Sequence, residues 1–349
     1  MNYVNLVSSF FITGISLFAL KPMAGKVGLL DFPGGRKTHS NATPMVGGLG
    51  IYLGTLCMCI FTPTVFAEYA FLLTLSAFVL VVGLFDDARD LNVSVRMSLH
   101  GFAALAMAIV GGVKLTSLGS LVNETEVIQL GVLSIPITIF AVVGVINAIN
   151  MSDGIDGLSG CMVLISLFMM AIVSLLAGDS TAFSFIVVLS CSVLAFLTLN
   201  FRRPWNKKAL IYLGDAGSTM LGFTLAWLFI SGTQGPNANI PPVFALWFIA
   251  IPLFDTINLL IKRPLNGLSP FSPGMDHLHH NLLKLGLRVE QVVAILSLSS
   301  VTMGAIGLIG FYNSVAEHHM FALFLALFLI YCILSAKLSK HVNFTETTV

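Results

Sequence analysis

The segment between Asn147 and Gly160 places two amides and two carboxylates between long apolar runs. Asn147, Asn150, Asp153 and Asp156 follow one another at intervals of three residues, and residues three apart are neighbours on a helix surface. Carboxylates beside apolar spans are costly unless they meet water, a partner or a metal ion. A simple turn between two helices needs fewer polar groups, so the spacing favours a functional site over a connection.

Two other motifs carry aspartates at the ends of apolar runs. In GLFDDARD, Asp86 and Asp87 stand where a span leaves the membrane, and two acids at the C-terminal end of a helix oppose its dipole, which suggests a function. In LGDAGS, Asp215 lies between glycines at the start of another span, where free N–H groups form an anion site. We predict that Asp215 holds a metal ion while the backbone faces phosphate. Proteins bind magnesium through one or two carboxylates together with substrate phosphates.

Basic residues near these motifs supply candidates for binding phosphate. Arg96 follows GLFDDARD, and Arg202 and Arg203 precede LGDAGS. Lys37 belongs to RKTHSNATPMVGGLG, a segment that we predict to dock an anion before the chain re-enters the membrane. Guanidinium and ammonium groups recognise phosphate through charge-assisted hydrogen bonds. These four side chains are therefore candidate substrate ligands.

The motif HLHH contributes His277, His279 and His280. A zinc site would need further cysteine or histidine ligands nearby, and the surrounding loop offers none. The neighbouring basic residues favour contact with the phosphate or the sugar of a substrate over a metal site or a solvated histidine cluster.

The rest of the chain consists of the membrane spans that must position these residues. Its 349 residues are 56% hydrophobic and only 9% charged, and the mean hydropathy is +0.94. This composition excludes a soluble domain and predicts an all-α polytopic membrane protein with one transmembrane domain over residues 1–349. The eleven predicted spans are 3–21, 45–62, 69–84, 97–114, 131–149, 158–177, 181–199, 211–231, 241–262, 291–311 and 318–336.

Basic residues fix the predicted orientation of these spans. Sixteen of the seventeen lysines and arginines fall in alternate loops, and only Lys114 falls on the other side. Because basic loops remain in the cytoplasm, the N-terminus is predicted outside and the C-terminus inside. The aspartates lie mainly on the cytoplasmic side as well, so we expect a magnesium–phosphate site at the inner membrane face. The net charge of +1 gives no indication of nucleic-acid binding.

Two other classes of membrane protein were weighed against an enzyme. A transporter usually carries its acids near the midplane, at the interface of repeats. Here the acids crowd one face and no inverted repeat is visible. A purely structural membrane protein leaves the aspartates unexplained. The pattern therefore favours an enzyme.

Five motifs in this order resemble those of the polyprenyl-phosphate N-acetylhexosamine-1-phosphate transferases. The similarity runs over nearly the whole chain, through VGLLDFPGGRKTH and TPMVGGLGIY, GLFDDARD, NAINMSDGIDGL, YLGDAGSTMLGF and SPFSPGMDHLHH. The resemblance implies a magnesium-dependent enzyme of the bacterial inner membrane with its active site on the cytoplasmic face. Its substrates would be undecaprenyl phosphate and a UDP-N-acetylhexosamine, most simply UDP-GlcNAc, in the first lipid-linked step of O-antigen-type envelope polysaccharide synthesis. Another UDP-sugar stays the alternative, and a homodimer is one oligomeric state left open.

The resemblance also implies roles for individual residues. Asp215 corresponds to the magnesium ligand. The implied catalytic residues are Asp86, Asp87, Asp153 and Asp156. The implied substrate ligands are Asn150, Asn200 and the three histidines. The loop before the histidines departs from the family pattern, because Met275 and Asp276 stand where relatives carry a basic residue. Sugar identity is therefore the part of the resemblance that this sequence supports least.

Overall fold

The computed structural model describes residues 3–32, 42–202, 208–235, 238–269 and 274–347. Helices dominate this part of the chain, as the composition predicts. Their bounds are α1 Tyr3–Leu20, α2 Gly47–Ile60, α3 Pro63–Arg89, α4 Val93–Ile109, α5 Ser134–Met151, α6 Leu158–Leu176, α7 Ser180–Asn200, α8 Gly214–Thr233, α9 Pro242–Phe248, α10 Ala250–Leu265, α11 Leu278–Lys284, α12 Val289–Tyr312 and α13 Glu317–Thr347. The expectation of an all-α membrane protein is confirmed.

Each of the eleven predicted spans coincides with a helix, and the ninth coincides with the pair α9 and α10. Within the described residues, seven helices are long and apolar enough to cross a membrane, or eight if α9 and α10 form one span bent by 89°. The helices α2 and α4 are apolar but shorter. The number of crossings and the side of each terminus stay predictions.

Short elements outside the spans shape the ends of the bundle. A 3-10 helix, Lys21–Lys26, follows α1. The strands β1, Leu30–Asp31, and β2, Thr43–Pro44, pair antiparallel, a detail that the sequence did not predict. The loop predicted after the ninth span contains the short helix α11, which carries two of the three motif histidines.

Helix α8 is the centre of the bundle, and 17 of its 20 residues are buried. Its many glycine, serine and threonine residues lower its hydropathy, so it is not among the seven helices above. This composition suits a helix buried among other helices. In a membrane the hydrophobic effect does not drive helices together, and small residues let neighbouring backbones pack closely instead.

Glycines make these approaches possible at the end of α8 that carries Asp215. A β-carbon on Gly83 of α3 would overlap the backbone of Ala216, and one on Gly48 of α2 would overlap the backbone of Gly217. Farther along, a β-carbon on Gly222 would stand 2.7 Å from the Cα of Ile146 in α5. Backbone cannot move aside as a flexible side chain can. These contacts fix how far α2, α3 and α5 stand from α8.

We expect Gly83→Ala to destabilise the protein, because the added methyl group must push α3 away from α8. Overpacking of this kind costs about 1–3 kcal/mol. Thermal unfolding of the purified protein in detergent measures the effect. Gly144→Ala in α5 is the matched control, because a β-carbon there meets nothing within 4 Å. Equal melting temperatures for the two variants would contradict the close packing of α3 on α8.

Candidate active site

The carboxylate of Asp87 holds the N-terminus of α8. Its Oδ1 accepts the backbone N–H of Asp215 at 2.8 Å, and its Oδ2 accepts the N–H of Ala216 at 3.1 Å. Gly214 has a left-handed φ of +76°, and a β-carbon there would come within 2.6 Å of the Asp87 carboxylate. The first N–H groups of a helix lack partners within the helix, and the positive end of its dipole favours an anion. The two N–H groups that the sequence assigned to phosphate therefore bind Asp87, which corrects that expectation.

Arg96 joins two other aspartates. Its Nη1 donates to Oδ2 of Asp86 and, at 3.3 Å, to Oδ2 of Asp215. Asp86 is only 4% exposed, and its Oδ1 also accepts the backbone N–H of Leu91 at 2.8 Å. Arg96 is thus committed to carboxylates in this structure, and Asp86 links the end of α3 to the turn that follows it.

Asp215 is held from a third side by α5. Asn150 donates from Nδ2 to Oδ1 of Asp215 at 2.8 Å and to the Ser218 hydroxyl at 3.0 Å. The Asp215 side chain nevertheless remains 40% exposed. It is oriented by protein contacts and still open to a ligand, as a metal-binding carboxylate must be.

Among the described residues, no donor or cation bonds to the carboxylate of Asp153. It lies in the turn between α5 and α6. Burial raises the pKa of Asp153 well above its usual range, and the charges of Asp215, Asp87 and Asp156 raise this pKa further. A carboxylate in this position attracts a proton or a cation.

Asp156 is paired, unlike Asp153. Arg202 donates from Nε to Oδ2 of Asp156 at 2.6 Å. The arginine was predicted to bind substrate phosphate, and here it neutralises a neighbouring carboxylate. Arg203 and Lys37, two further predicted ligands, lie outside the described residues.

Asn200 holds the turn that carries the two aspartates. Its Oδ1 accepts the backbone N–H of Gly157 at 2.7 Å, and its Nδ2 donates to the carbonyl of Ile211 at 2.8 Å. Both ends of the amide are therefore committed to backbone. The structure gives Asn200 a positioning role, and direct contact with substrate stays a prediction.

The motif histidines divide into one that reaches the site and two that support it. His280 lines the cavity described below. His279 is 2% exposed, and a β-carbon on Gly154 would overlap its Nε2. His277 is also buried, and its Nδ1 lies 2.7 Å from Oδ2 of Asp255. The sequence treated the three rings alike, and the fold separates them.

The electrostatic state of these rings follows from burial. Burial lowers the pKa of His279 to about 3, and the neighbouring His280 and His277 lower it further. Burial, followed by the proximity of His277, also lowers the pKa of His280. Both rings are neutral near pH 7. In this state His280 can offer a hydrogen bond to a substrate but no positive charge.

Sequence reasoning missed Asp255 and Tyr331. Asp255 lies in the apolar helix α10, and the Tyr331 hydroxyl of α13 donates to its Oδ1 at 2.8 Å. One signal was present, because a single acid inside an apolar segment indicates a functional position. No signal in the sequence marked Tyr331.

The aspartates meet in a cavity of about 470 Å³, which is within the range of ligand sites in proteins. Among the described residues, Arg202 is the one arginine or lysine that lines it. Seven aspartates line it: Asp31, Asp86, Asp87, Asp90, Asp153, Asp156 and Asp215. A larger cavity of about 870 Å³ is lined by residues such as Lys114, Asp179 and Gln234. The smaller cavity is the one lined by the candidate site residues, and its excess of negative charge favours binding of a cation.

Comparisons with known proteins show which sequences this chain is similar to. Residues 69–233 match the family model described as glycosyl transferase family 4. The chain is similar to the undecaprenyl-phosphate alpha-N-acetylglucosaminyl 1-phosphate transferase of Escherichia coli, with 35% identity over 94% of this chain and 89% of the relative. The enzymes of the same name from Haemophilus influenzae and Yersinia pestis are 35% and 34% identical, over 91% and 93% of this chain and 89% of each relative.

We expect Asp153→Asn to stabilise the metal-free protein at neutral pH. A carboxyl group whose pKa is raised in the folded state stabilises the fold below its unfolded pKa, and this contribution is lost as pH rises through the folded pKa. The neutral amide avoids that loss, so the variant should melt about 2 °C or more above the wild type at pH 8 with chelator present. The difference should shrink towards pH 4. A lower melting temperature for the variant at pH 8 would contradict the crowding of carboxylates around Asp153.

Proposed function

The chain belongs to glycosyl transferase family 4, and we propose that it transfers N-acetylglucosamine 1-phosphate from UDP-GlcNAc to undecaprenyl phosphate. The products are undecaprenyl-diphosphate-GlcNAc and UMP. The observation that carries the proposal is the similarity over 94% of the chain to enzymes of that name. The aspartate-lined cavity supports it, because the aspartate motifs of the sequence meet there.

The reaction is a substitution at phosphorus. An oxygen of the lipid phosphate attacks the phosphorus that bears the sugar, and the bond from this phosphorus to the UMP oxygen breaks with its electron pair leaving on UMP. A phosphate monoester has a second pKa of about 6, so the acceptor is mostly a dianion near pH 7 and already carries a nucleophilic oxygen. Such transfers depend mainly on positioning and on stabilising spread negative charge.

The donor set fits magnesium as the cofactor. Asp215 is oriented by Asn150 and Arg96 yet 40% exposed, and Asp153 has no cation partner among the described residues. Two carboxylates together with substrate phosphates are a normal magnesium environment. Magnesium, when bound, would neutralise phosphate charge. Asp215 and Asp153 are the residues that we propose to hold it.

The other residues of the cavity position these two carboxylates. Asp87 fixes the end of α8 on which Asp215 stands, and Asn200 fixes the turn on which Asp153 stands. Arg96 and Arg202 reduce the repulsion among the aspartates and stand beside the cavity, where a substrate phosphate can compete for their remaining N–H groups. His280, which also lines the cavity, can offer a hydrogen bond from its neutral ring.

The product identifies the reaction directly. Purified protein is incubated with magnesium, undecaprenyl phosphate and, in turn, labelled UDP-GlcNAc, UDP-GalNAc or UDP-MurNAc-pentapeptide. We expect labelled lipid diphosphate and UMP with UDP-GlcNAc, and loss of transfer in Asp215→Asn because an amide is a poorer ligand for a hard cation. Glu68→Gln, an exposed change outside the aspartate cavity, is the control. Release of UDP in place of UMP would contradict the proposed bond cleavage, and preference for another donor would assign another sugar.

We further propose the bacterial inner membrane, with the aspartate cavity on its cytoplasmic face. Glu124→Cys, in the connection between α4 and α5, should react with a membrane-impermeant maleimide in intact spheroplasts. Asn266→Cys, which follows α10, should react only after lysis. Both positions are exposed, and the basic loops place them on opposite sides. Labelling of Asn266→Cys in intact spheroplasts would reverse or refute the orientation.

A further inference from the structure

Three hydrogen-bond donors, two at the start of α11 and one on α13, converge on the Asp255 carboxylate. Oδ1 accepts the Tyr331 hydroxyl of α13 at 2.8 Å and the backbone N–H of Leu278 at 3.0 Å. Oδ2 lies 2.7 Å from Nδ1 of His277. An ionised carboxylate can only accept hydrogen bonds, so this contact assigns the His277 proton to Nδ1. Asp255 is 8% exposed, and these donors compensate the cost of burying its charge.

The same residues could also be read as metal ligands. The ligand atoms of Asp255, His277 and His279 all lie within 4.8 Å of one another. Ligands about 2.0–2.1 Å from zinc in a tetrahedral site stand farther apart than the 2.7 Å between Asp255 and His277. That distance is normal for a hydrogen bond. The contacts therefore favour a hydrogen-bonded pair over a metal centre.

The contacts of Asp255 fix the start of α11. His277 immediately precedes this helix, and Leu278 is its first residue. Asp255 therefore bonds to the last residue before α11 and to the first residue within it. The next two residues reach the active site in different ways. His279 packs against Gly154, beside Asp153, and His280 lines the aspartate cavity.

Three polar side chains of α13 form hydrogen bonds to neighbouring helices beside this arrangement. Tyr331, Ser335 and Ser339 are spaced by four residues and lie on one face of the helix. Ser335 accepts a hydrogen bond from Asn258 of α10 at 3.1 Å. Ser339 accepts hydrogen bonds from Lys262 at 3.0 Å and from Asn281 of α11 at 3.3 Å. Helix α13 is thereby bonded to both α10 and α11.

We propose that Asp255, supported by Tyr331, is a positioning residue for the transfer reaction. It holds His277 as the Nδ1–H tautomer and fixes α11, so that His280 faces the cavity and His279 supports the turn of Asp153. Neither Asp255 nor Tyr331 contacts substrate in this assignment. The expected effect on kcat/KM rests on the proposed function, whereas the expected tautomer of His277 does not.

The tautomer of His277 gives a test that does not depend on activity. Protein with ¹⁵N-labelled histidine is studied by NMR in detergent, and the His277 signal is assigned by its loss in His277→Gln. We expect the Nδ1–H tautomer in the wild type. In Asp255→Asn a single amide oxygen replaces the two carboxylate oxygens. If this oxygen still accepts the hydrogen bonds from Leu278 and Tyr331, the amide NH₂ faces Nδ1 of His277. The ring should then change to the Nε2–H tautomer. A wild-type ring protonated only at Nε2 would overturn the proposal.

Kinetics separates positioning from a loss of folded protein. Asp255→Asn should reduce kcat/KM by about 10- to 100-fold per folded molecule, the range expected for losing a charge-assisted hydrogen bond. Tyr331→Phe should cause a smaller loss in the same direction, and Asp255→Glu should recover part of the activity. Ser335→Ala is the control, because it removes a bond between the same two helices without contacting Asp255.

Each contrary result has a distinct meaning. Wild-type kcat/KM in folded Asp255→Asn or, if that variant does not fold, in Tyr331→Phe would overturn the positioning role. One equivalent of a transition metal in purified wild type, absent from Asp255→Asn by elemental analysis, would replace the hydrogen-bonded pair with a metal centre. If the wild type shows the expected Nδ1–H tautomer of His277 but transfers no sugar phosphate, the proposed function is refuted and the Asp255–His277 contact stands.

Discussion

The bonds from Asp87 to the first N–H groups of α8 are the joint on which the candidate site depends. They connect the end of α3 to the start of the most buried helix of the described chain. The contact combines a charge-assisted hydrogen bond with the favourable end of a helix dipole. Its geometry is possible only because Gly214 takes a left-handed conformation and Gly83 lets the two backbones touch. Asp86, Arg96 and Asp215 take their relative positions from this joint.

Charge balance is the second constraint on the site. The carboxylates around the cavity outnumber the arginines beside it, and both Arg96 and Arg202 are already paired with aspartates. Without further positive charge, such a cavity repels a nucleotide diphosphate and a lipid phosphate alike. A divalent cation that arrived with a substrate would remove the repulsion. For this reason we propose magnesium, and not direct arginine–phosphate binding, as the main source of neutralisation. A cation would also balance Asp153, whose carboxylate has no donor or cation partner among the described residues and lies near the charges of Asp215, Asp87 and Asp156.

The sequence supported the class of fold and the membership of the site. Apolar runs predict helices because the bilayer leaves the backbone no other partner, and every predicted span contains one. The aspartate motifs line one cavity because each stands at a helix end on the same side of the bundle, and their roles in the reaction stay predictions. Sequence patterns record what is near along the chain, and the pairings that define the geometry are distant. Asp87 and Asp215 are 128 positions apart, and Asp255 and Tyr331 are 76 apart. Whether an arginine binds phosphate or carboxylate, and which of three adjacent histidines faces the cavity, depends on those pairings.

One structural device recurs at three places around the cavity. Asp87 bonds to the backbone of α8, Asn200 bonds to the backbone of Gly157, and Asp255 bonds to the backbone at the start of α11. In each case a side chain on a membrane helix binds a backbone N–H group within or next to a segment that carries a site residue. Segments at the ends of spans have little apolar surface to bury, so packing alone cannot orient them. A buried hydrogen bond to backbone can, because leaving either partner unsatisfied costs about 1–3 kcal/mol. The site can therefore lie at the rim of the bundle, open to a soluble nucleotide and a membrane-anchored acceptor, while its carboxylates remain fixed by the rigid helices below.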